Sequence, residues 1–574
     1  MDTNQRNLLL AILISVVILG GFQYFYQGPL QEEARRQAAL APTKAETAKT
    51  DPTQQPAGIP PLLDRDQALA QSPRVKVKNA LIEGSIARQG ARIDDVVLTK
   101  YRETIDQASP PIHLLQPAQT SQGYYAEFGW LAAPEQGAVQ LPTAQTIWQA
   151  NSDQVTPQKA VTLTYDNGQG LVFEQRFGLD DHYLIHVAQT VKNISSKPVT
   201  LNPFALLSRR EPETGHHYGI LHEGIVGVLN GKLVELKYDE VKEEKAIARQ
   251  TAGGWLGITD KYWLTALAPE NQGDMKTRVA YSPAPDRDRY QVDYVLPSRT
   301  IGPGESVTVG HYLFAGAKEV KLLDAYEDKY NIPRFDLAVD FGWFYFLTKP
   351  IFLLLHFMYQ LLGSFGLAIL GLTVIIRLIV FPLANKSYRT MNKLKDLQPE
   401  MLKLREKHKG DVAAQHKEMA AFYQRHQVNP LSGCLPILIQ IPIFFSLYKV
   451  LFVTIEMRHQ PFYGWIHDLS APDPTTIFNL FGLIPWDPPT FLMIGAWPII
   501  MGFTMWLQQR MSPSSMDPAQ ARVFALLPFI FTYLLAQFPA GLVIYWAWSN
   551  ILGIGQQYFI RVLDKKHRAK IGKA

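Results

Sequence analysis

The chain has 574 residues, of which 47% are hydrophobic and 19% charged, and its formal net charge is +5 at pH 7. This length allows two or three domains, and the single cysteine, Cys434, excludes an internal disulfide. The averages resemble those of a soluble enzyme, but they hide a division along the chain. Residues 27–335 are polar and rich in turn-forming residues, whereas residues 341–560 carry most of the long apolar runs.

The first apolar run predicts a membrane anchor over residues 1–26. Its length is close to the roughly 20 residues that a spanning helix needs, and it ends in aromatic residues, which are typical of the membrane–water interface. A cleaved signal peptide is the alternative, but the Ala-x-Ala sequence at 39–41 lies far beyond the usual cleavage distance. Residues 27–75 follow as a proline-rich segment, which we expect to form a flexible linker.

Residues 76–335 carry the alternating pattern of β-strands and predict a large all-β sandwich domain. The sequence DNGQG at 166–170 has the chemistry of a hairpin turn. Strand-like alternation recurs in four stretches: RVKVK (74–78), AVTLTY (160–165), YLIHVAQTV (183–191) and SVTVGHYLF (306–314).

The β domain contains little that predicts catalysis. His216, His217, His222 and Glu223 are close in sequence, but they lack the HExxH order of a helical zinc site. The sequence has no P-loop, no GxGxxG after a strand and no GxSxG motif. We therefore predict no metal, no cofactor and no enzyme activity, and we interpret the histidines as polar loop residues.

Apolar segments after residue 363 predict five membrane-spanning helices, and a further segment at 341–363 precedes them. This segment carries Lys349, Pro350 and His356 among aromatic residues, so we expect an amphipathic helix in the interface, with a spanning helix as the alternative. The predicted spans are residues 364–384, 434–455, 490–508, 523–538 and 541–560.

Basic residues in the loops predict the orientation of these helices. The loop 385–428 holds ten Lys/Arg against five acidic residues, and the tail 561–574 holds six against one. The loop 457–490 holds one basic residue against three acidic ones. Because cytoplasmic loops carry the excess of Lys/Arg, we expect the loop 385–428 and the C-terminal tail in the cytoplasm. With the N-terminal anchor the predicted spans number six, and this even number places the N-terminus in the cytoplasm as well and the β domain outside.

Residues 386–427 predict a basic antiparallel helical hairpin that divides at Gly410 and Asp411. Apolar stripes on its two helices and the basic tail are the candidate contact surfaces. The hairpin residues are Met391, Leu394, Leu397, Met401, Met419, Phe422 and Tyr423, and the tail residues are Lys565, Lys566 and Arg568. The charge suits anionic lipid and ribosomal RNA equally, because both present dense phosphate charge.

Arg377 lies inside the apolar segment GLTVIIRLIVFPL (371–383). A cation near the middle of a membrane helix costs about 2.5–3.5 kcal/mol or more, and Thr373 lies on the same helical face one turn earlier. Polar residues also occur in the other predicted spans: Gln440, Gln508, Gln509, Ser549 and Asn550. Either these side chains converge on a hydrated groove with one fixed positive charge, or Arg377 extends along its helix to the headgroups. The residues alone leave both interpretations open.

Three prolines are expected to interrupt the same helices. Pro382 follows Arg377 by five residues, and Pro436 and Pro442 flank Gln440. A proline in a helix interior removes a hydrogen bond and clashes with the preceding turn. We therefore predict helix breaks at these positions.

Several motifs of the membrane region resemble those of the YidC family of membrane protein insertases, which has relatives in mitochondria and chloroplasts. They are RLIVFPL (377–383), NPLSGCLPILIQIPIFFSLY (429–448), WIHDLS (465–470), QQRMSP (508–513) and FPAGLVIYWAWSN (538–550). The resemblance covers essentially the whole chain and is to the Gram-negative members. It implies a multi-span α-helical inner-membrane protein with a periplasmic β-supersandwich that is related in fold to sugar mutarotases but has no known catalysis.

The resemblance also implies a groove that is open to the cytoplasm and the lipid but closed to the periplasm. Arg377 matches the groove arginine of the family, and Thr373 and the pair Tyr545 and Trp546 match positions along the path of the incoming chain. Many Gram-negative relatives have Tyr-Tyr in place of this pair, but a stacking surface survives. A polar groove residue of the family falls at one of two positions: Gln508 or Gln509.

The function implied is the insertion of nascent membrane proteins, alone or with the Sec translocon. The groove would shorten the hydrocarbon path of a polar tail, whose transfer is the costly step, and Arg377 would attract its carboxylates. The expected partners are nascent membrane proteins, the translating ribosome, Sec translocon components and anionic lipids, without a small-molecule substrate. Two alternatives stay open: an anion transporter that uses Arg377, and a membrane-anchored carbohydrate-binding protein or enzyme that uses the sandwich.

Overall fold

The computed structural model describes most of the chain after residue 61. The described residues are 62–571 except 211, 213–220, 285–286, 409, 429–434, 487, 490–491 and 512–517. The predicted anchor at 1–26, the greater part of the predicted linker, His216, His217 and Cys434 therefore lie outside the described residues.

The end of the predicted linker is folded, which corrects the prediction of an extended segment up to residue 75. Helix α1 spans Arg65–Ala70, and the first strand begins at Arg74. Ala68 is buried, and Arg65 donates a hydrogen bond of 2.5 Å to the Asp95 carboxylate. The composition of the segment missed this helix because the side chains that hold it belong to strands further along the chain.

Two sheets build the β domain, as the alternating patterns predict. The strands of the first sheet are β1 (Arg74–Lys78), β2 (Ile82–Ala87), β3 (Ile93–Arg102), β4 (Pro111–Leu115), β5 (Tyr124–Ala132), β7 (Gln154–Val155), β11 (Val199–Arg210), β14 (Ala246–Thr251), β17 (Met275–Ser282), β18 (Arg289–Val295) and β19 (Arg299–Ile301). Those of the second sheet are β6 (Gln149–Ala150), β8 (Val161–Asp166), β9 (Leu171–Leu179), β10 (Leu184–Asn193), β12 (Gly224–Leu229), β13 (Lys232–Leu236), β15 (Gly254–Thr259), β16 (Trp263–Pro269) and β20 (Ser306–Ala317).

The strand order shows that most neighbours are not consecutive in sequence. The first sheet runs β14-β17-β18-β11-β5-β3-β2-β1-β7, with β19 paired to β11 and β4 paired to β3. The second sheet runs β13-β12-β15-β16-β20-β10-β9-β8-β6. The predicted hairpin at 166–170 is confirmed, because β8 and β9 pair with Asp166 opposite Val172. Alternate residues of β9 are buried, so its period-two pattern marks the face that packs in the sandwich.

Helices dominate the described chain after β20. They are α3 (Val320–Tyr330), α4 (Tyr345–Leu362), α5 (Phe365–Asp396), α6 (Gln398–Lys407), α7 (Val412–Arg425), α8 (Leu435–Val453), α9 (Ala496–Met511), α10 (Pro518–Leu535) and α11 (Ala540–Ile571), while α2 (Tyr238–Glu244) lies within the β domain. Short 3₁₀ segments occur at Phe335–Ala338, Ile455–Met457 and Ile477–Gly482. In the described part of the chain, α4 and the segment Phe365–Leu394 are long and apolar enough to cross a membrane, and Gln440–Val453 and Phe524–Leu535 are shorter apolar helices.

The predicted helix breaks at proline are wrong. Helix α5 passes through Pro382, and α8 passes through Pro442. A backbone inside an apolar helix has few partners other than its own hydrogen bonds, so a helix in such surroundings continues past a single missing donor. Pro436 also lies within the described part of α8.

The hairpin forms, but its apolar stripes face each other. Its first arm continues from α5 and is divided near Leu397, where α6 begins, and α7 returns beside α6. Leu394 is 1% exposed and Phe422 is 8% exposed, and both lie in the core of the hairpin. The prediction that these two side chains form an external contact surface is therefore wrong. The partly buried side chains that pack against this core are Met391, Leu397, Leu404, Met419 and Tyr423.

The last helix is longer than the predicted span. Helix α11 continues beyond residue 560 to Ile571, so the residues predicted as a basic tail, Lys565, Lys566 and Arg568, are helical. This correction extends the helix by eleven residues of mostly polar sequence.

Candidate functional site

The Arg377 guanidinium reaches from α5 to α11. Its Nε donates to Ser549 Oγ at 3.1 Å, and its Nη2 donates to Ser549 Oγ and to the Ser549 carbonyl, each at 2.7 Å. Among the described residues no carboxylate forms an ion pair with Arg377. The charge is therefore held between two helices by neutral oxygens alone.

Two positions border Arg377: Thr373 on α5 and Gly553 on α11. Thr373, one turn earlier on α5, is 1% exposed, and its hydroxyl donates to the Ile369 carbonyl at 2.6 Å. On α11, a Cβ at Gly553 would lie 2.5 Å from Gln508 Nε2 and 3.6 Å from Arg377 Nη1. The glycine thus leaves the space in which the amide and the guanidinium lie close together.

A second polar contact joins α8 to α11. Gln440 Nε2 donates to the Tyr545 hydroxyl at 2.8 Å, and Tyr545 is 2% exposed. The neighbouring Trp546 packs its ring against Phe444 and Phe531, with centroids 4.7 and 5.4 Å apart. The predicted convergence of polar residues from several helices is thus present around α11.

The structure separates the two candidate glutamines of α9. Gln508 lies beside Gly553 and Arg377, as described above. Gln509 instead donates from Nε2 to the Phe524 carbonyl at 2.6 Å and so joins α9 to α10. Only Gln508 therefore belongs to the polar cluster of Arg377.

Two predicted lining residues are not on an open surface. Thr373 and Tyr545 are almost fully buried, whereas Arg377, Gln440 and Gln508 are partly exposed. We call the residues Arg377, Gln440, Gln508, Tyr545 and Ser549 the interhelical polar cluster, because the five lie on four different helices, α5, α8, α9 and α11.

Sequence reasoning noted Ser549 as polar but did not pair it with Arg377, and it missed Gly553. Tyr545, Ser549 and Gly553 are spaced four residues apart, so they occupy one face of α11. A search for small and polar residues at this spacing would have found the face. Asn550, on the adjacent face, donates to Thr504 Oγ1 at 3.3 Å.

The polar residues at 222–223 in the β domain bind backbone groups. His222 Nε2 donates to the Ile225 carbonyl at 2.8 Å, and burial lowers the pKa of the imidazole. Glu223 accepts a hydrogen bond of 2.8 Å from the Lys261 N–H. In the described residues, no group of three or more His, Cys, Asp or Glu side chains could hold a metal ion.

A β-sandwich of two large sheets followed by apolar helices with a polar cluster between them defines a membrane protein with a large extramembrane domain. Residues 74–354 match the family model described as the YidC periplasmic domain, and residues 357–567 match the model described as the 60Kd inner membrane protein. Together with a relative that is 47% identical over 98% of this chain, these matches show that the chain belongs to the YidC family.

A comparison with an individual curated relative supports this assignment. A membrane protein insertase YidC from Bradyrhizobium diazoefficiens is 47% identical over 98% of this chain and 96% of that relative. The crystal structure of an active YidC insertase with its first transmembrane domain resolved covers 85% of this chain and 93% of its own, at 17% identity and a TM-score of 0.35. A galactose mutarotase related enzyme from Lactobacillus acidophilus covers 42% of this chain and 97% of its own, at 11% identity and a TM-score of 0.31. At these TM-scores neither structural likeness carries an argument, so the predicted relationship to sugar mutarotases stays a prediction.

Proposed function

We propose that this chain inserts nascent membrane proteins into the inner membrane by non-covalent transfer. The observation that supports this most is the position of Arg377, a cation among apolar helices whose hydrogen bonds go to neutral oxygens. Such a residue is expensive inside a membrane and marks a functional site by default. The curated relative that shares 47% of its residues over nearly the whole chain is named for insertion, which favours this function over the anion transporter and the carbohydrate-binding alternatives.

Arg377 would act by attracting carboxylates of the incoming chain. The transfer of a polar tail through hydrocarbon is the costly step of insertion. A carboxylate that reaches Arg377 replaces the neutral hydroxyl of Ser549 with a full negative charge, and the resulting ion pair is stronger than a hydrogen bond to a neutral oxygen. Ser549 then takes the guanidinium back when the tail leaves, so the attraction is transient.

The apolar part of the substrate would leave sideways into lipid along α5. Leu378 and Ile379, the residues directly after Arg377, are 65% and 72% exposed. An apolar segment can pack against them while its polar tail is held at the guanidinium. Burial in the bilayer then drives the segment out of the site.

The charge distribution supports an orientation with both termini and the hairpin in the cytoplasm and the β domain in the periplasm. In this orientation the basic hairpin and the end of α11 face the side where proteins are made. We propose that they contact the translating ribosome, Sec translocon components or anionic lipids, because each presents acidic groups or phosphates near the membrane surface.

A reconstituted insertion assay tests the role of the charge. Purified full-length protein in liposomes is given two versions of one short membrane protein, with an acidic or a neutral translocated tail. We expect Arg377→Glu to lose most insertion of the acidic version and to retain more of the neutral one, and Arg377→Lys to retain both, because the contact needs charge. The matched control is Arg510→Glu, a charge reversal at an exposed residue near the end of α9.

Equal insertion of both tails by Arg377→Glu would refute the electrostatic role. A length-dependent crosslink from a photoreactive residue at position 440 to a stalled nascent chain would show separately whether the chain passes the cluster. Position 440 suits the probe better than 373 or 545 because its side chain is partly exposed.

A further inference from the structure

A cavity of about 390 Å³ lies where the β domain meets the segment after α8. One side is formed by the end of β3 and the turn after it, including Lys100, Arg102 and Ile105. The other side is formed by three consecutive residues of the segment after α8: Arg458, His459 and Gln460. The cavity therefore lies between the β domain and the helical region.

The charges that line this cavity are all positive. Lys100 is paired with Glu319 at 3.0 Å. The two arginines bond to carbonyls instead: Arg102 Nη1 donates to Ser109 O at 2.8 Å, and Arg458 Nη2 donates to Arg102 O at 2.6 Å and to Glu103 O at 3.1 Å. Among the described residues neither guanidinium is in an ion pair.

A carboxylate near these arginines has other partners. Asp468 accepts hydrogen bonds from the N–H groups of His459, at 3.2 Å, and Ser470, at 2.8 Å. Burial and the neighbouring Arg458 lower the pKa of His459, so the imidazole adds no charge near neutral pH. Arg102 and Arg458 thus bring two positive charges to the lining of the cavity. The Asp468 carboxylate balances part of the Arg458 charge, and the Arg458 guanidinium lies over the rings of Tyr262 and Trp263, at 5.8 and 5.4 Å from their centroids.

The position of the cavity along the helices limits what that anion can be. Helix α8 ends at Val453, and Arg458 follows five residues later. Residues just beyond the end of an apolar helix lie at the depth of the lipid headgroups. In the same segment Tyr463 and Trp465 are 67% and 40% exposed, and exposed aromatic residues concentrate at this depth. Ile105, which lines the cavity, is 48% exposed.

We propose that this cavity binds the phosphate of an anionic phospholipid headgroup in the leaflet next to the β domain. Guanidinium groups suit phosphate because they offer paired N–H donors in a plane. Arg102 and Arg458 would hold the phosphate, and Ile105 would contact the first part of an acyl chain. Inorganic phosphate shares the headgroup chemistry but lacks the apolar part. The site is separate from the interhelical polar cluster, so it does not depend on the proposed function.

Lipid binding to the purified full-length protein in detergent tests the site. Native mass spectrometry would measure the dissociation constants of dioleoylphosphatidylglycerol and dioleoylphosphatidylcholine, with inorganic phosphate as a competitor. We expect phosphatidylglycerol to bind more tightly, and Arg102→Gln to weaken its binding about fivefold, as one cation near a membrane surface contributes. Arg102→Lys should lose less affinity than Arg102→Gln, because the charge remains although the paired N–H donors do not. Lys78→Gln is the matched control, since Lys78 is an exposed cation of β1 outside the cavity.

Each outcome decides for or against the proposal. A selective loss in Arg102→Gln supports the site when Lys78→Gln stays close to the native protein and Arg102→Lys lies between the two. Equal affinity of Arg102→Gln and the native protein for phosphatidylglycerol would overturn it. Displacement of the lipid by low millimolar inorganic phosphate, with no preference for the lipid, would overturn the lipid assignment and leave a site for free phosphate.

Discussion

Arg377 of α5 donates three hydrogen bonds to Ser549 of α11, a residue 172 positions later in the chain. One serine thus offers both its hydroxyl and its carbonyl to the same guanidinium. This pairing answers the question that the sequence left open, because the guanidinium bonds to a neighbouring helix within the bundle rather than extending along α5. The same hydrogen bonds hold α5 against α11.

Removal of the Ser549 hydroxyl should destabilise the helical region. A hydrogen bond to a charged group contributes about 1.5–3 kcal/mol, so we expect Ser549→Ala to lower the free energy of unfolding by about 1–3 kcal/mol, since the carbonyl acceptor remains. Thermal unfolding in detergent would measure the change. The matched control is Ser446→Ala on α8, because Ser446 is fully buried and its Oγ has no hydrogen-bond partner in the described structure. Equal losses in the two variants would contradict a special role for the Ser549 hydroxyl.

The sequence predicted the existence of most elements better than their contacts. Alternation identified β10 and β20, and long apolar runs identified the helices, because both patterns are local consequences of burial. The prediction of an extended linker failed at Arg65 because its partner, Asp95, lies 30 residues away. The prediction of a helix break failed at Pro382 because it applied a rule for helices in water to a helix in apolar surroundings.

The polar cluster shows the same limit. Hydropathy alone identified Arg377 as costly, since it stands in an apolar run. It could not decide between Gln508 and Gln509, because adjacent residues of a helix point about 100° apart and only the positions of the neighbouring helices show which one faces α11. The space at Gly553 that admits Gln508 is likewise a property of two helices together.

A matched pair of glycines on α11 tests that space. A Cβ at Gly553 would meet Gln508 Nε2 at 2.5 Å, whereas a Cβ at Gly555 would meet no atom within 4 Å. Alanine is favoured over glycine in helices by about 0.5–1 kcal/mol. We therefore expect Gly555→Ala to raise the free energy of unfolding by about that amount, and Gly553→Ala to show a smaller gain or a loss, because Gln508 must move. Unfolding in detergent measures both variants.

The same pair has a functional readout. Gly553→Ala should reduce insertion of acidic-tailed substrates relative to Gly555→Ala, because it displaces an amide beside Arg377. Indistinguishable insertion by the two variants would mean that the position of Gln508 does not matter for transfer.

The core of the helical hairpin should be sensitive to truncation at Leu394 and insensitive at Leu402. Leu394 is 1% exposed and Leu402 is 57% exposed. Truncation of a buried leucine to alanine costs about 2–5 kcal/mol, so Leu394→Ala should open the hairpin to protease between residues 386 and 427, while Leu402→Ala should leave its cleavage rate close to that of the native protein. Comparable rates in both variants would show that the hairpin does not depend on this core.

Glu456, in the 3₁₀ turn after α8, should make stability depend on pH. Burial and the nearby Glu319 carboxylate raise its pKa from 4.5 to about 7, against the opposing effects of hydrogen bonds from the backbone N–H groups of Glu456 and Val320 and of the Lys100 charge. One of its carboxyl oxygens, Oε2, has no hydrogen-bond partner in the described structure. A carboxyl group with a higher pKa in the folded than in the unfolded protein binds its proton more tightly when folded. Its contribution to stability is therefore full below pH 4.5 and is lost as the pH rises through about 7.

Glu456→Gln should remove this loss, because the amide stays neutral at every pH. We expect the variant to exceed the native protein at pH 8 by on the order of 2 kcal/mol more in free energy of unfolding than it does at pH 5. Thermal unfolding across pH 5 to 8 measures the difference, with Glu244→Gln at an exposed position of α2 as the control. A difference between Glu456→Gln and the native protein that does not change across this range would show that Glu456 stays ionised in the folded protein, contrary to a raised pKa.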